Sequence, residues 1–337
     1  MDQRTSRLWD EMLDEFRALG GTADNVRLGE GAFGRGLFAH DPSRPVKVHI
    51  PDSLLVDIGH VVFENNEFRI APGAPLGARE KTFLENYQRD FSWGVGRRET
   101  EDLLQMMHEA PADLRELLRS PFNAGRWLSE PTPQTVQERY LDSRVIHYKA
   151  ADVVMPIVEL ANHGHASRYE VGVGVGLGGV FPGEVLVQYQ LCDALQIFGK
   201  WGFASGSEPF ALSINLVLEG NLGSLRIARG DVNAEAGRRP FFPDVTVEGN
   251  QVSLSYLMLG HRNYPRLARG NFYRIMRDAG RSDAEERFDR IQHANRMQFY
   301  KLDAASERAA PPLGRLLRSV ARSQLEAMSN NVGTREV

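Results

Sequence analysis

The stretch from Val153 to Ser205 constrains this chain more than any other. It reads VVMPIVELANHGHASRYEVGVGVGLGGVFPGEVLVQYQLCDALQIFGKWGFAS. An apolar run ends in Asn162-His163. A glycine-rich strand pattern then leads to a Gly183-Glu184 turn, and a short apolar strand, Val185 to Val187, delivers Tyr189. Trp201-Gly202-Phe203 follow. Polar side chains at one buried strand end, and a tyrosine at the next, predict a site lined by strand ends.

Two familiar patterns are imitated and then fail. Leu28-Gly29-Glu30-Gly31-Ala32-Phe33-Gly34 looks like a kinase glycine loop, with Lys47 after it. A kinase also needs His-Arg-Asp and a later Asp-Phe-Gly. This chain offers His261-Arg262-Asn263 and Asp90-Phe91-Ser92, altered and in reversed order. Gly172, Gly174, Gly176, Gly178 and Gly179 mimic a dinucleotide fingerprint, but that fingerprint must open a helix. Here Pro182-Gly183 and a strand come next. His163 and His165 have no third ligand nearby in sequence, so no metal is expected.

Composition narrows the class. With 337 residues, 42% of them hydrophobic, the chain can hold one large domain or two smaller ones. Net charge is −4, which gives no global signal for nucleic-acid binding. Of the 40 basic residues 35 are arginine, from which no function follows. The N-terminus is polar and acidic, and no run is long enough to span a bilayer. A cytoplasmic protein without membrane attachment is the expectation. The lone Cys192 excludes an internal disulfide and a cysteine-built zinc site.

The remaining segments read as follows. Ser6 to Leu19 is an amphipathic helix with Leu8, Met12, Phe16 and Leu19 on one face, stopped by Gly20-Gly21. Its acidic polar face predicts a cap on the domain rather than a membrane-surface helix. Phe63 to Arg79 reads as irregular around Pro72-Gly73 and Pro75. Glu80 to Tyr148 is mostly helical, with helices over Glu99 to Glu109 and Ala112 to Arg119 and a capped start at Thr132-Pro133. Beyond Ser205, strands are predicted at Phe210 to Leu218, Ser224 to Arg229, Val245 to Val247 and Val252 to Tyr256. Helices follow at Ser282 to Arg296 and Leu313 to Met328.

The order of these pieces resembles the SET-domain protein methyltransferases, in particular the cysteine-poor branch typified by Rubisco large-subunit lysine methyltransferase. Gly34-Arg35-Gly36-Leu37-Phe38-Ala39 is similar to the N-terminal signature of that family. Asn162-His163, the Gly-Glu turn, Tyr189 and Trp201-Gly202-Phe203 are similar to its C-terminal half, and Ser143-Arg144 to the end of its helical insert.

The resemblance implies an α+β fold, with a strand-rich, β-clip-like SET core, a helical insert and a mostly helical C-terminal domain. It divides the chain into an N-terminal helix (1–22), a SET N-terminal half (23–79), the insert (80–150), a SET C-terminal half (151–206) and a substrate-binding domain (207–337). It implies S-adenosyl-L-methionine as cofactor, held by Phe33, Gly34, Arg35, Gly36, Arg144, Asn162 and His163. Tyr189 is the implied catalytic residue. Tyr169, Trp201 and Phe203 are implied to line the acceptor channel, aromatic walls suiting a lysine stem and its cationic head. The implied activity is methylation of a protein side chain, most simply lysine. A catalytically silent module binding a protein partner is the alternative. Three residues depart from the family pattern: Gly164 for serine, Glu159 for aspartate and Trp201 for tyrosine. The last leaves histidine open as the acceptor.

Overall fold

The computed structural model describes residues 3–220, 223–232 and 241–329. The rest of the chain, including 221–222, 233–240 and 330–337 of the region read as a C-terminal domain, lies outside the described residues. The chain divides into two compact units. The first is Met1–Glu101 with Thr132–Gln190, and the second is Asp102–Pro131 with Leu191–Val337. No helix among the described residues is long and apolar enough to cross a membrane.

The first unit is built from small sheets. Thr22–Asp24, Val46–Ile50, Gly174–Gly179 and Glu170–Gly172 form an antiparallel sheet in that order. Val26–Gly31 and Gly34–Ala39 form a two-residue hairpin, the glycine hairpin, with Gly29 opposite Gly36 and Gly31 opposite Gly34. Val56–Asp57, Ala151–Val154 and Val145–Tyr148 make a third sheet. The short parallel pair Asn162–Arg168 with Leu186–Gln188 carries the site.

Aromatic packing fastens the helices of this unit. Helix Gln3–Ala18 buries Trp9, Leu13 and Phe16, a stripe one residue round from the expected Leu8, Met12 face. Helix Ala78–Phe91 buries Phe83, Leu84, Tyr87, Gln88 and Phe91, which recur at helical spacing. Trp9 meets Phe91 edge-on at 5.3 Å, Phe16 stacks on Phe83 at 6.0 Å, and Trp93 meets Tyr140 at 5.0 Å. Each such pair adds about 0.5–1.5 kcal/mol beyond the area it buries.

The second unit is mixed. A four-stranded sheet runs Leu216–Leu218, Leu225–Ile227, Gln251–Leu254, Val245–Glu248, and a separate ladder pairs Phe210–Leu212 with Met258–His261. Helices Leu267–Asp278, Ala284–Ser306 and Pro311–Ser329 follow. Helix Ala112–Arg119 belongs here too. Phe122, just after it, packs on Phe299 at 5.2 Å, and Arg308 pairs with Asp113. Asp193 and Arg229 form a buried ion pair at 2.5 Å, and the same carboxylate accepts from the Leu212 and Gln196 amides. Those extra bonds offset the cost of removing the two charges from water.

Several expectations are corrected. Phe63–Arg79 is not irregular. Val61–Glu64 and Glu67–Ile70 form a hairpin over Asn65-Asn66, both with positive φ (51° and 65°), and a helix starts at Ala78. Asparagine tolerates the left-handed region that such a two-residue turn needs. Asn162-His163 open a strand rather than close one. The apolar run before them breaks at a turn centred on Ile157, where φ is 69° and Val158 N donates to Pro156 O at 2.8 Å. This γ-turn is a strained conformation for a β-branched residue, and it sits beside the site. The expected strand Phe210–Leu218 splits between two sheets. Helices Ala194–Trp201 and Leu267–Asp278 were not read from the sequence.

Candidate active site

The site in the first unit begins with backbone geometry. The strand Gly34–Ala39 is clamped on its second side by the segment around Glu184. Ala39 N donates to Gly183 O at 3.2 Å and Val185 N to Leu37 O at 2.8 Å. This brings the Gly183-Glu184 turn and the glycine hairpin together. Asn162 then locks into both. Its Nδ2 donates to the Arg35 carbonyl oxygen at 3.2 Å and to Glu184 Oε1 at 2.6 Å. Gly36 makes the approach possible, because a Cβ there would lie 2.6 Å from Asn162 Nδ2 and 2.8 Å from Glu184 Oε1. With its amide donors committed, Asn162 keeps its Oδ1 as an acceptor.

The parallel pair continues the construction. Asn162 lies opposite Leu186 and His163 opposite Val187. The register then shifts so that Ser167 also faces Val187. The loop so formed holds Gly164, where a Cβ would be 2.8 Å from that of Leu186. A serine at this position would force the two strands apart, so glycine here has a packing cause. Buried His163 accepts from Tyr189 N at Nδ1, at 3.3 Å. Its ring meets that of Tyr189 edge-on at 5.2 Å.

Tyr189 is thus held through backbone and ring. Its hydroxyl donates to the Ala161 carbonyl oxygen at 2.8 Å, leaving its oxygen lone pairs to accept. Burial pushes its pKa up to about 12, with the Arg144 charge pulling the other way. Tyr169 stacks near-parallel on it, 6.4 Å between centroids and 11° between planes. The Tyr169 pKa also lies well above the ordinary value, chiefly through burial. Two neutral, stacked phenols therefore form one wall.

Behind them lies a buried polar cluster. Glu159 is 4% exposed and takes a hydrogen bond from Gln88 Nε2 at 3.1 Å on Oε1, while Oε2 has no hydrogen-bond partner among the described residues. Burial raises its pKa, opposed by the nearby Arg144 charge. Half-buried Arg144 donates from Nη1 to the Glu159 carbonyl oxygen at 3.2 Å and lies over the Tyr140 ring at 5.3 Å. Burial disfavours the charged guanidinium, but the oxygens of Tyr140 and Glu159 outweigh that and its pKa stands above the usual value. Ser92 Oγ and the Tyr140 hydroxyl share a 2.5 Å hydrogen bond.

The structure brings together Arg35, Gly36, Arg144, Asn162, His163, Tyr169 and Tyr189, all in the first unit. Phe33, at the hairpin turn, is 57% exposed, and Gly34 beside it has open space where a Cβ would stand. The Arg35 side chain is tied to the end of helix Ala78–Phe91: its Nη2 donates to Phe91 O at 2.6 Å. Trp201 and Phe203 belong to the second unit. Trp201 ends helix Ala194–Trp201, which a reciprocal Asp193–Gln196 capping box starts and Gly202 stops in the left-handed region at φ 77°. Glu184 and the Gln88–Glu159 pair were missed as site residues. Glu184 was visible as a turn residue, but nothing local marks which distant amide its carboxylate holds.

No family model and no curated protein matches the chain. Solved structures similar to it include the following two. The SET domain of LSMT bound to lysine and AdoHcy is 11% identical over 97% of this chain and 90% of its own, with a TM-score of 0.41. Rubisco LSMT bound to sinefungin and monomethyllysine is 14% identical over 98% of this chain and 90% of its own, with a TM-score of 0.44.

Proposed function

We propose that this protein transfers a methyl group from S-adenosyl-L-methionine to a side-chain nitrogen of a protein substrate, with lysine as the acceptor and the helical region beyond residue 206 binding that substrate. One observation carries the reading. Asn162 is bonded to the backbone of Arg35, 127 residues away in sequence, and lies one residue from Ala161, which takes the Tyr189 hydroxyl. Three separate signatures thus meet through two hydrogen bonds.

The residues fit an amino-acid-like cofactor end. Asn162 Oδ1 offers an acceptor for an ammonium. The guanidinium of Arg144, tied to Glu159 in the same short segment, offers a cation for a carboxylate. The open space beside Gly34 admits the rest close to the backbone. When bound, the cofactor supplies an electrophilic methyl group on a sulfonium.

The protein's part is positioning and desolvation. With a pKa of about 12, Tyr189 stays protonated at neutral pH and does not act as the base. Its hydroxyl hydrogen goes to Ala161 O, so its lone pairs accept an N–H of the incoming amine and point the nitrogen's own lone pair forward. Tyr169 and Tyr189 supply an aromatic wall for a lysine stem.

The test pairs calorimetry of S-adenosyl-L-methionine binding with a labelled-methyl assay on host extract. Tyr189→Phe should retain cofactor affinity and lose about a hundredfold or more in transfer, since small misplacements cost that much. Its melting should shift by about one hydrogen bond's worth. Cofactor binding without any transfer by the wild type would leave the silent module standing. Wild-type rates in Tyr189→Phe would remove the tyrosine from the mechanism.

A further inference from the structure

The C-terminal helix Pro311–Ser329 buries Leu313, Leu317, Val320, Ala321, Gln324 and Met328 on one side. Its other side carries Arg315, Arg318, Ser319, Arg322, Ser323 and Glu326, which with Gly206 line a groove of about 470 Å³ in the second unit. That volume lies within the range of ligand-binding clefts.

The charges on this face do not balance. Asp303 stands 4.0 Å from Arg318 Nε and 3.7 Å from Arg322 Nε, and Glu326 pairs with Arg262 at 3.0 Å. Among the described residues, two carboxylates therefore face the four guanidinium groups of Arg262, Arg315, Arg318 and Arg322. Among the described residues Arg315 has no acidic partner, and Arg318 Nε makes no hydrogen bond although it is shielded from solvent. An arginine fork in a partly dry groove is a ready receptor for carboxylate, which it can take with two parallel hydrogen bonds.

The spacing selects among anions. Arg315 and Arg322 are seven residues apart on the helix, roughly 10 Å at about 1.5 Å per residue. A row of this length has room for more than one acidic group. Carboxylates at every second residue of an extended chain share one face and recur about every 6.6 Å, at about 3.3 Å per residue, so a row of them can meet arginines spread along this helix. Among the described residues no aromatic side chain lines the groove to stack a base, and Glu326 in it and Asp303 beside Arg318 and Arg322 would repel a continuous phosphate backbone.

The geometry points to a docking groove for an extended acidic peptide segment of another protein, its carboxylates received by Arg315, Arg318 and Arg322. The groove lies in the helical region proposed above to bind the protein substrate and deepens that reading, while its binding is measured without cofactor.

The experiment is fluorescence anisotropy on the full-length protein without cofactor. The probes are a labelled peptide of alternating glutamate and alanine, the same peptide with glutamine, and a thymidine oligonucleotide of equal charge. At low salt the glutamate peptide should bind, the glutamine peptide should not, and the oligonucleotide should bind more weakly. Arg315→Glu combined with Arg322→Glu should weaken the glutamate peptide about tenfold or more. High salt should do the same, as screening shortens to about 3 Å at 1 M. Circular dichroism checks folding, and Arg315→Gln with Arg322→Gln serves if the reversal unfolds the helix. The proposal is overturned by a wild type that ignores the glutamate peptide, by unchanged affinity in both folded variants, or by tighter binding of the oligonucleotide. None of these outcomes bears on whether S-adenosyl-L-methionine binds the first unit.

Discussion

Gly36 cannot carry even a methyl group without moving the Asn162 amide, which is 2.6 Å from where that methyl would be. Gly36→Ala should therefore lower S-adenosyl-L-methionine affinity about tenfold or more, while the protein still melts cooperatively. Calorimetry beside a melting curve checks this, and unchanged affinity would separate Asn162 from the cofactor. Glu159 gives a pH signature. Burial raises its pKa, so the folded protein holds that proton more tightly than the unfolded chain. The stability this contributes is complete below the unfolded value. It is lost as pH rises from there through the folded value. Glu159→Gln cannot ionise. The stability of the variant minus that of the wild type should accordingly grow as pH rises above the ordinary glutamate range in denaturant titrations. A flat difference would mean that Glu159 ionises as freely in the fold as outside it. That Asn162, His163 and Tyr189 come together was legible in sequence because residue types in a fixed order carry the signal. Glu184 and Gln88 were not, because their partners are set by contacts 22 and 71 residues away.

The hairpin Val61–Glu64/Glu67–Ile70 was hidden by its surroundings, since Pro72-Gly73 and Pro75 made the whole segment read as loop. Its turn is nonetheless written in Asn65-Asn66. The Asn66 carbonyl also accepts from Trp93 Nε1 at 2.8 Å, and Phe63 packs against the Trp93 ring at 4.6 Å. Asn66→Ala should cost about 1 kcal/mol, because alanine is less at ease at positive φ, whereas Asn66→Gly should be nearly neutral. Equal losses in the two variants, measured by urea unfolding, would mean that the asparagine side chain rather than its backbone angle matters. Helix Ala194–Trp201 escaped for a different reason. Eight residues give little periodicity, and Leu195, Ile197 and Phe198 read equally well as strand. Its caps were in plain view at Asp193, Gln196 and Gly202, and they define it better than its interior does.

Across the whole molecule, the strand-rich first half and helical end could be read from pattern, but the path of the chain could not. Nothing in the sequence announces that Phe122 packs on Phe299, or that residues 102–131 belong with 191–337. A fragment ending at residue 190 would keep Leu114, Leu118 and Phe122 while losing helix Ala284–Ser306. It should aggregate or melt without a cooperative transition, and a fragment that melts sharply by calorimetry would count against the division. The same path sets what cutting can do. The chain passes from one unit to the other at 101–102, 131–132 and 190–191. No single broken peptide bond frees either unit from the other. A protein nicked once in a surface loop should run as two bands under denaturing conditions and as one species in solution, each piece retained by the half of its own unit that the other piece carries.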